Sequence, residues 1–352
     1  MSRRIKKIIQ DCIEHFRLDL SDLTVFTEAA SGNYLYTPII AACAGARKVY
    51  AKTRDSRYGL KEDIREQTVR TAKEFGVADR IEVIYDAQPA QISDCNIVTN
   101  SGFVRPINKE MIRHMNDKAV VPLMWETWEY REEQLDLAAC QNKGVLVLGT
   151  WESKPPLDLR PYGGVLGFKL IFELGLELHQ TRILLLGGQP TLGEMIFKYM
   201  QKIDVDTHWF SADDENGQSY DELAAHFSQY GHEYDAIIVA DHKDQRLLLG
   251  SNGVLKPTVI QRANPSIRIG VISGHVDAKE LRDADLFVFP DKIAKKGMMS
   301  YQANDLGPRP ALELYSAGLK VGQEMARARL RGLDLEAAKQ WALEHSPAMD
   351  FD

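Results

Sequence analysis

Cysteine, long apolar runs and excess positive charge are all scarce in this sequence, and each shortage argues against a class of protein. The only cysteines are Cys12, Cys43, Cys95 and Cys140, far apart and without C-x-x-C spacing or paired histidines. They offer neither a disulfide framework nor a zinc site, and such usage fits a reduced, cytoplasmic compartment. The most apolar stretch, 163–178, is too short for a bilayer and carries Lys169, Glu173 and Glu177. No secretory signal is expected, because Arg3 and Arg4 lead into an amphipathic segment, not an apolar one. Lys and Arg number 43 against 50 Asp and Glu, and a net charge of −7 offers no field for a polyanion. Neither nucleic acid nor membrane is expected as a partner.

What remains is an ordinary globular balance. The 352 residues, 44% of them hydrophobic, suffice for two cores. Apolar runs of strand length recur at 23–27, 48–52, 81–85, 96–99, 119–124 and 145–149, then at 182–186, 205–210, 236–240, 267–272 and 286–289. Helical stretches such as 61–76 and 192–202 lie between most of them. Near-continuous apolar strands alternating with helices indicate parallel sheets covered on both faces. The fold class expected is therefore α/β, with two doubly wound domains of Rossmann or flavodoxin-like type. A long helix over 161–179 is expected to cross between them, started by Pro161. The boundaries expected are 1–160 with 306–352 for a flavodoxin-like substrate domain, and 161–305 for a Rossmann-like nucleotide-binding domain.

In such sheets ligands bind beyond the carboxyl ends of the strands, where strand order reverses. The second half opens with LLLGGQPTLGEM (184–195), a strand, a glycine turn and a helix start. A pyrophosphate would rest there on backbone N–H groups and the positive helix end. Gly187, Gly188, Gln189, Thr191 and Gly193 are the residues expected to receive it, although the outer glycines stand one residue further apart than in G-x-G-x-x-G. No acid ends the next strand. Ser211 stands there, with Asp213 and Asp214 slightly late, which suits NADP at least as well as NAD. Asp241, Ser273 and Gly274, at later strand ends, complete the expected cofactor set.

These features resemble the superfamily of D-2-hydroxyacid dehydrogenases and S-adenosylhomocysteine hydrolase. VISGHVDAKEL (271–281) looks like the hydrolases' I-G-H-F-D segment beside the nicotinamide, and GGQPTLG is closer to the turn of methylenetetrahydrofolate dehydrogenases. The hydrolases also carry a Lys and an Asp before a Tyr-Gly, which this resemblance places on Lys154 and Asp158 before Tyr162 and Gly163. Ser273-Gly274 replaces the Arg-Gly of the hydroxyacid dehydrogenases, and no histidine follows His275 until His345, so their catalytic set is missing.

The first half carries a different resemblance. VFTEAASGNYLYTPIIAACAGARKVYAKTRDSRYG (25–59) is similar to the opening of class I S-adenosylmethionine methyltransferases, with Ala29 and Ala30 in place of glycines. Whatever the ligand, Glu28, Ser31, Gly32, Asn33 and Tyr34 lie at a strand's carboxyl end, with Arg54, Asn100 and Ser101 in neighbouring loops. Together they would hold a small polar or anionic metabolite. Glu126 and Glu129 form a candidate acid–base pair beside Trp128, a flat wall for a ring. His275, followed by Asp277, is the candidate for proton transfer, since histidine titrates near neutrality. No histidine–carboxylate spacing reads as a metal site.

The reading that results is a cytoplasmic NAD(P)-dependent oxidoreductase, a homodimer, with its small-molecule substrate in an interdomain cleft. The alternatives are an S-adenosylmethionine-dependent transferase and a non-catalytic ligand-binding protein that kept the fold and lost the fingerprint.

Overall fold

The structure, a computed structural model, describes residues 3–188, 192–212, 218–296 and 298–351. In the first part of the chain the apolar runs become β1 (Thr24–Glu28), β2 (Lys48–Lys52), β3 (Ile81–Ile84), β4 (Ile97–Val98), β5 (Val120–Pro122) and β6 (Leu146–Thr150). The helices around them are α1 (Arg3–His15), α2 (Tyr36–Cys43), α3 (Lys61–Phe75), α4 (Pro89–Asp94), α5 (Lys109–His114) and α6 (Leu137–Lys143). Next come α7 (Arg160–Glu173), β7 (Arg182–Gly187), α8 (Leu192–Lys202), β8 (Asp206–Ser211), β9 (Gln218–Ser219) and α9 (Tyr220–Tyr230). They are followed by β10 (Ala236–Ala240), α10 (Pro257–Ala263), β11 (Arg268–Ser273), α11 (Ala278–Asp283) and β12 (Phe287–Phe289). The chain ends with α12 (Pro308–Leu330), α13 (Leu335–His345) and β13 (Ala348–Met349).

Two units result. One comprises the residues up to Leu159 together with those from Pro308 on; the other is Arg160–Gly307. Short polar side chains start several helices by accepting a backbone N–H: Asn108 for α5, Asp136 for α6, Ser219 for α9, Asp277 for α11 and Asp334 for α13.

In the first unit the sheet order is β3-β2-β1-β4-β5-β6, all parallel, with β13 antiparallel on the outer edge of β6. Val25 of β1 pairs with Val49 on one side and Ile97 on the other. The order reverses between β1 and β4, so their carboxyl ends frame the crevice. This is the dinucleotide-type order and not the flavodoxin-like one expected for this half. Hydrophobic periodicity reports which faces are buried, not which strand lies beside which. One core, with Ile9, Ile40, Leu148 and Leu312, fills one face; another, with Phe26, Val98, Val121 and Cys140, fills the other.

In the second unit the order is β9-β8-β7-β10-β11-β12, again parallel, reversing between β7 and β10. Its faces bury Leu184, Phe227 and Ile269 on one side and Leu170, Leu185 and Ile196 on the other. The helix expected over 161–179 is α7, which stops at Glu173 and lies wholly in this unit. Gly175 ends it by adopting φ +75°, which lets the Leu176 N–H reach back to the Ile171 carbonyl. Among the described residues no helix is long and apolar enough to cross a membrane.

Candidate functional site

At the β1/β4 crevice of the first unit, Glu28 closes β1 with only 5% of its surface exposed. Its carboxylate accepts the Phe103 N–H at 2.9 Å and a second N–H from Gly102. Burial pushes its pKa up, against the pull of those N–H groups and of Arg105 and Arg54. A Cβ on Gly102 would crowd this carboxylate, standing 3.1 Å from Glu28 Oε2 and 3.8 Å from an Arg105 nitrogen. Arg105 reaches from this loop to stack over Trp125, 4.5 Å from the ring centre, and donates to Gln134. Tyr315 of α12 is buried beside Tyr34, their rings 5.5 Å apart and their hydroxyls hydrogen-bonded.

The residues expected to hold a substrate gather around this crevice. Ser31 precedes a 3-10 turn over Gly32–Leu35, and the space beside Gly32 is open. Asn33 and Tyr34 lie in that turn. Arg54 lies over the Phe103 ring and donates to the Gly102 carbonyl at 3.4 Å. Ser101 joins Thr99 and Thr27 in a buried hydroxyl cluster. Asn100, only 2% exposed, keeps its Oδ1 without a partner. A buried acceptor left unpaired is costly unless a ligand donor completes it.

Beyond β5 and β6 the candidate carboxylates meet a third. Glu126 accepts from the Trp128 indole at 2.6 Å and from the Glu152 backbone N–H at 3.1 Å. Burial first, then Glu126, pushes Glu129 up to about 7; burial, then Glu129 and Glu126, pushes Glu152 up to about 8. Glu129 and Glu152 thus hold protons near neutrality, which suits acid–base work. Arg105 acts electrostatically on both Glu28 and Glu129 and so joins the two clusters. Trp128 is 59% exposed and held through Glu126. Arg105, Glu152 and Tyr315 escaped the sequence reading. Arg105 alone left a trace, four residues past Ser101 at the same strand end.

Lys154 and Asp158 follow Glu152 in the loop after β6. The Lys154 ammonium donates to the carbonyls of Leu343 and Ala348, fastening α13 and β13. Those bonds tie the side chain to the end of the chain. Asp158 lines a cavity of about 580 Å³ beside α1 and α12, with Cys12, His15 and Arg309.

In the second unit the glycine turn sits at the β7/β10 reversal. Gly187 and Gly193 meet backbone to backbone: a Cβ on Gly187 would lie 2.6 Å from the Gly193 Cα, and one on Gly193 would lie 2.5 Å from Gly187. That close helix–strand approach is the packing a dinucleotide turn requires, and on this count the residues fit the cofactor. Gln189 and Thr191 lie outside the described residues, as do Asp213 and Asp214. Ser211 is fully buried and paired with Ser219 of β9. Ser273 is fully buried with its hydroxyl unpartnered, and Gly274 follows at φ +134°. His275 has an unpartnered, buried Nδ1. Asp277 does not orient that ring as a partner would; its carboxylate caps α11 at the Glu280 N–H. Asp241 is buried behind Gly188. Among the described residues no cluster could hold a metal ion.

No family model matches the chain, and no curated protein matches its sequence. Solved structures do. A dipicolinate synthase chain from Bacillus subtilis superposes with a TM-score of 0.58 at 11% identity, over 89% of this chain and 99% of that one. Its counterpart, a dipicolinate synthase chain from Bacillus halodurans, gives 0.50 at 9% identity, over 85% and 96%. The fold is the two-domain Rossmann-type one. A 2-hydroxyacid dehydrogenase from Ketogulonicigenium vulgare lies further off, with a TM-score of 0.47 at 11% identity over 89% of this chain and 96% of that one. At such identities the likeness speaks for the fold alone.

Proposed function

We propose that the chain is an oxidoreductase that uses a nicotinamide dinucleotide, NAD or NADP, on a small polar metabolite. The observation that carries this reading is the backbone contact between Gly187 and Gly193 at the strand-order reversal of the second sheet. Gly187, Gly188 and Gly193 would hold the dinucleotide, with Ser273 and His275 at the end of β11, two strands away, offering unpaired polar atoms to it. When bound, that group supplies or accepts a hydride. The first unit binds the metabolite: Arg54 and Arg105 meet its anionic part, and Asn100 Oδ1 takes a hydrogen-bond donor from it. The carboxyl pair Glu129 and Glu152 holds the proton that must move at neutral pH.

Titration of the purified chain with NADH and NADPH, followed by calorimetry, tests the reading. Binding of either supports it; no binding of either, reduced or oxidised, overturns it. A second reading, an S-adenosylmethionine-dependent transferase, draws support from the dinucleotide-type strand order of the first sheet and the open turn at Gly32. A thermal-shift comparison of S-adenosylmethionine with NADPH separates the two.

A further inference from the structure

Asp241 follows β10 and lies across the strand-order reversal from Gly188. A Cβ added to Gly188 would sit 2.7 Å from Asp241 Oδ1, 3.1 Å from its Cγ and 3.3 Å from Oδ2, so the carboxylate lies flat against the glycine. In a dinucleotide turn the second glycine is bare so that the diphosphate can approach its backbone. Here the bare side of Gly188 faces a negative group instead.

That carboxylate is firmly held. Asp241 is 1% exposed; Oδ2 accepts from the Tyr220 hydroxyl at 2.7 Å, and Oδ1 from the N–H groups of Lys243 at 3.1 Å and Asp244 at 3.0 Å. All three partners are donors, so the group acts purely as an acceptor. The nearby guanidinium of Arg246 is committed elsewhere, to Asp244 at 2.8 Å and Asp221 at 3.5 Å, and stacks on Tyr220. Lys243 meets Asp241 through its backbone N–H, and Lys296 faces Asp244. Buried like charges repel strongly and are little screened by salt.

We propose that Asp241 is a counter-charge built into the turn, which holds dinucleotide affinity down and speeds dinucleotide release. The inference rests on the cofactor reading above for its ligand. It assigns Asp241 a role opposite to the cofactor-holding one expected from its place at a strand end. Release limits turnover in many enzymes, so a residue that weakens binding serves a catalytic cycle. Differences among variants of one site appear mainly in the dissociation rate.

The test is NADH and NADPH binding, by fluorescence titration and stopped-flow displacement, to the wild-type chain and three variants. Asp241→Asn keeps the shape and a carbonyl acceptor for the backbone donors while removing the charge. It is expected to tighten binding about tenfold, equivalent to 1.4 kcal/mol, through slower dissociation. Glu222→Gln removes an exposed charge from α9 of the same unit and is expected to leave affinity unchanged, which excludes a mere change in net charge. Tyr220→Phe takes a donor from the carboxylate but keeps its charge, and is expected to weaken binding or leave it unaltered. Equal or weaker binding by a folded Asp241→Asn chain overturns the proposal, as does tighter binding by Tyr220→Phe. The two readings separate cleanly. Wild-type binding without a gain in Asp241→Asn keeps the cofactor reading and sinks the counter-charge. Binding by Asp241→Asn alone keeps the counter-charge and sinks cofactor use by the natural chain. Binding by neither sinks both.

Discussion

Replacing Gly193 by alanine tests whether the glycine turn is built as the geometry says. The new methyl would meet Gly187 C and Cα at 2.5 Å and Gly188 N at 2.9 Å, all of them backbone. No flexible side chain can yield, so α8 must move outward by about 1 Å to restore ordinary contact, an overpacking that costs about 1–3 kcal/mol. The shift also loosens Ile196 and Met200, fully buried on α8, and Ile196 in turn packs against Gly167 of α7. Alanine returns at most about 1 kcal/mol of helix propensity near the start of α8. A net loss of about 2 kcal/mol is expected, which for a unit of this size lowers its melting temperature by about 4–8 °C. Differential scanning calorimetry reads the transition directly. Dinucleotide binding should weaken in the same variant, because the N–H groups of the turn move with the helix. An unchanged melting temperature together with unchanged binding would refute the close-packed turn and with it the main support for the cofactor.

Four further outcomes follow from the first unit. Glu152 and Glu129, pushed up to about 8 and about 7 from an ordinary 4.5, hold protons in the folded chain that the unfolded chain has already lost. The folded state then binds more protons, so their contribution to stability declines as pH rises from near 4.5 to about 8. In Glu152→Gln the melting temperature should fall less over that range, and should exceed that of the wild type at its alkaline end. Glu129→Gln should lower turnover by about 10²–10⁴-fold with substrate affinity largely kept, the scale of a lost acid–base group; a full-rate variant removes Glu129 from proton transfer. Arg105→Leu leaves the buried Glu28 carboxylate without its main cation and should cost about 1–3 kcal/mol in urea unfolding, with Arg105→Lys recovering only part. Lys154→Met should destabilise the chain and increase proteolysis near α13, yet leave the rate per folded molecule intact; a large drop in that rate would return Lys154 to the chemistry.

How much of this was written in the sequence depends on the range of the interaction. The apolar runs at 48–52 and 236–240 became β2 and β10 to the residue, because burial, alternating along β2 and continuous along β10, leaves its mark locally. The two-residue strands β9 and β13 left none, since so short a stretch has no period to read. The glycines at 187 and 193 announced a close turn, and the spacing of Glu126 and Glu129 announced a carboxylate pair. The end of α7 was legible in principle at Gly175, but the apolar pattern running past it masked the stop.

Adjacency was another matter. Strand order is chosen by packing between segments far apart in the chain, which is why the first sheet took the dinucleotide-type order when its own pattern allowed the flavodoxin-like one. Because β5 and β6 lie side by side, Glu152 joined carboxylates 23 and 26 residues earlier, whose charges add to burial in raising its own hold on a proton. Because β7 and β10 lie side by side, Asp241 came to face Gly188 from more than fifty residues away. The sequence by itself determined the longer strands and helices and that they would build two α/β units, since burial and capping act over a few residues. Only the tertiary structure decided which charges meet, because Coulomb and desolvation energies depend on distances that chain order does not record.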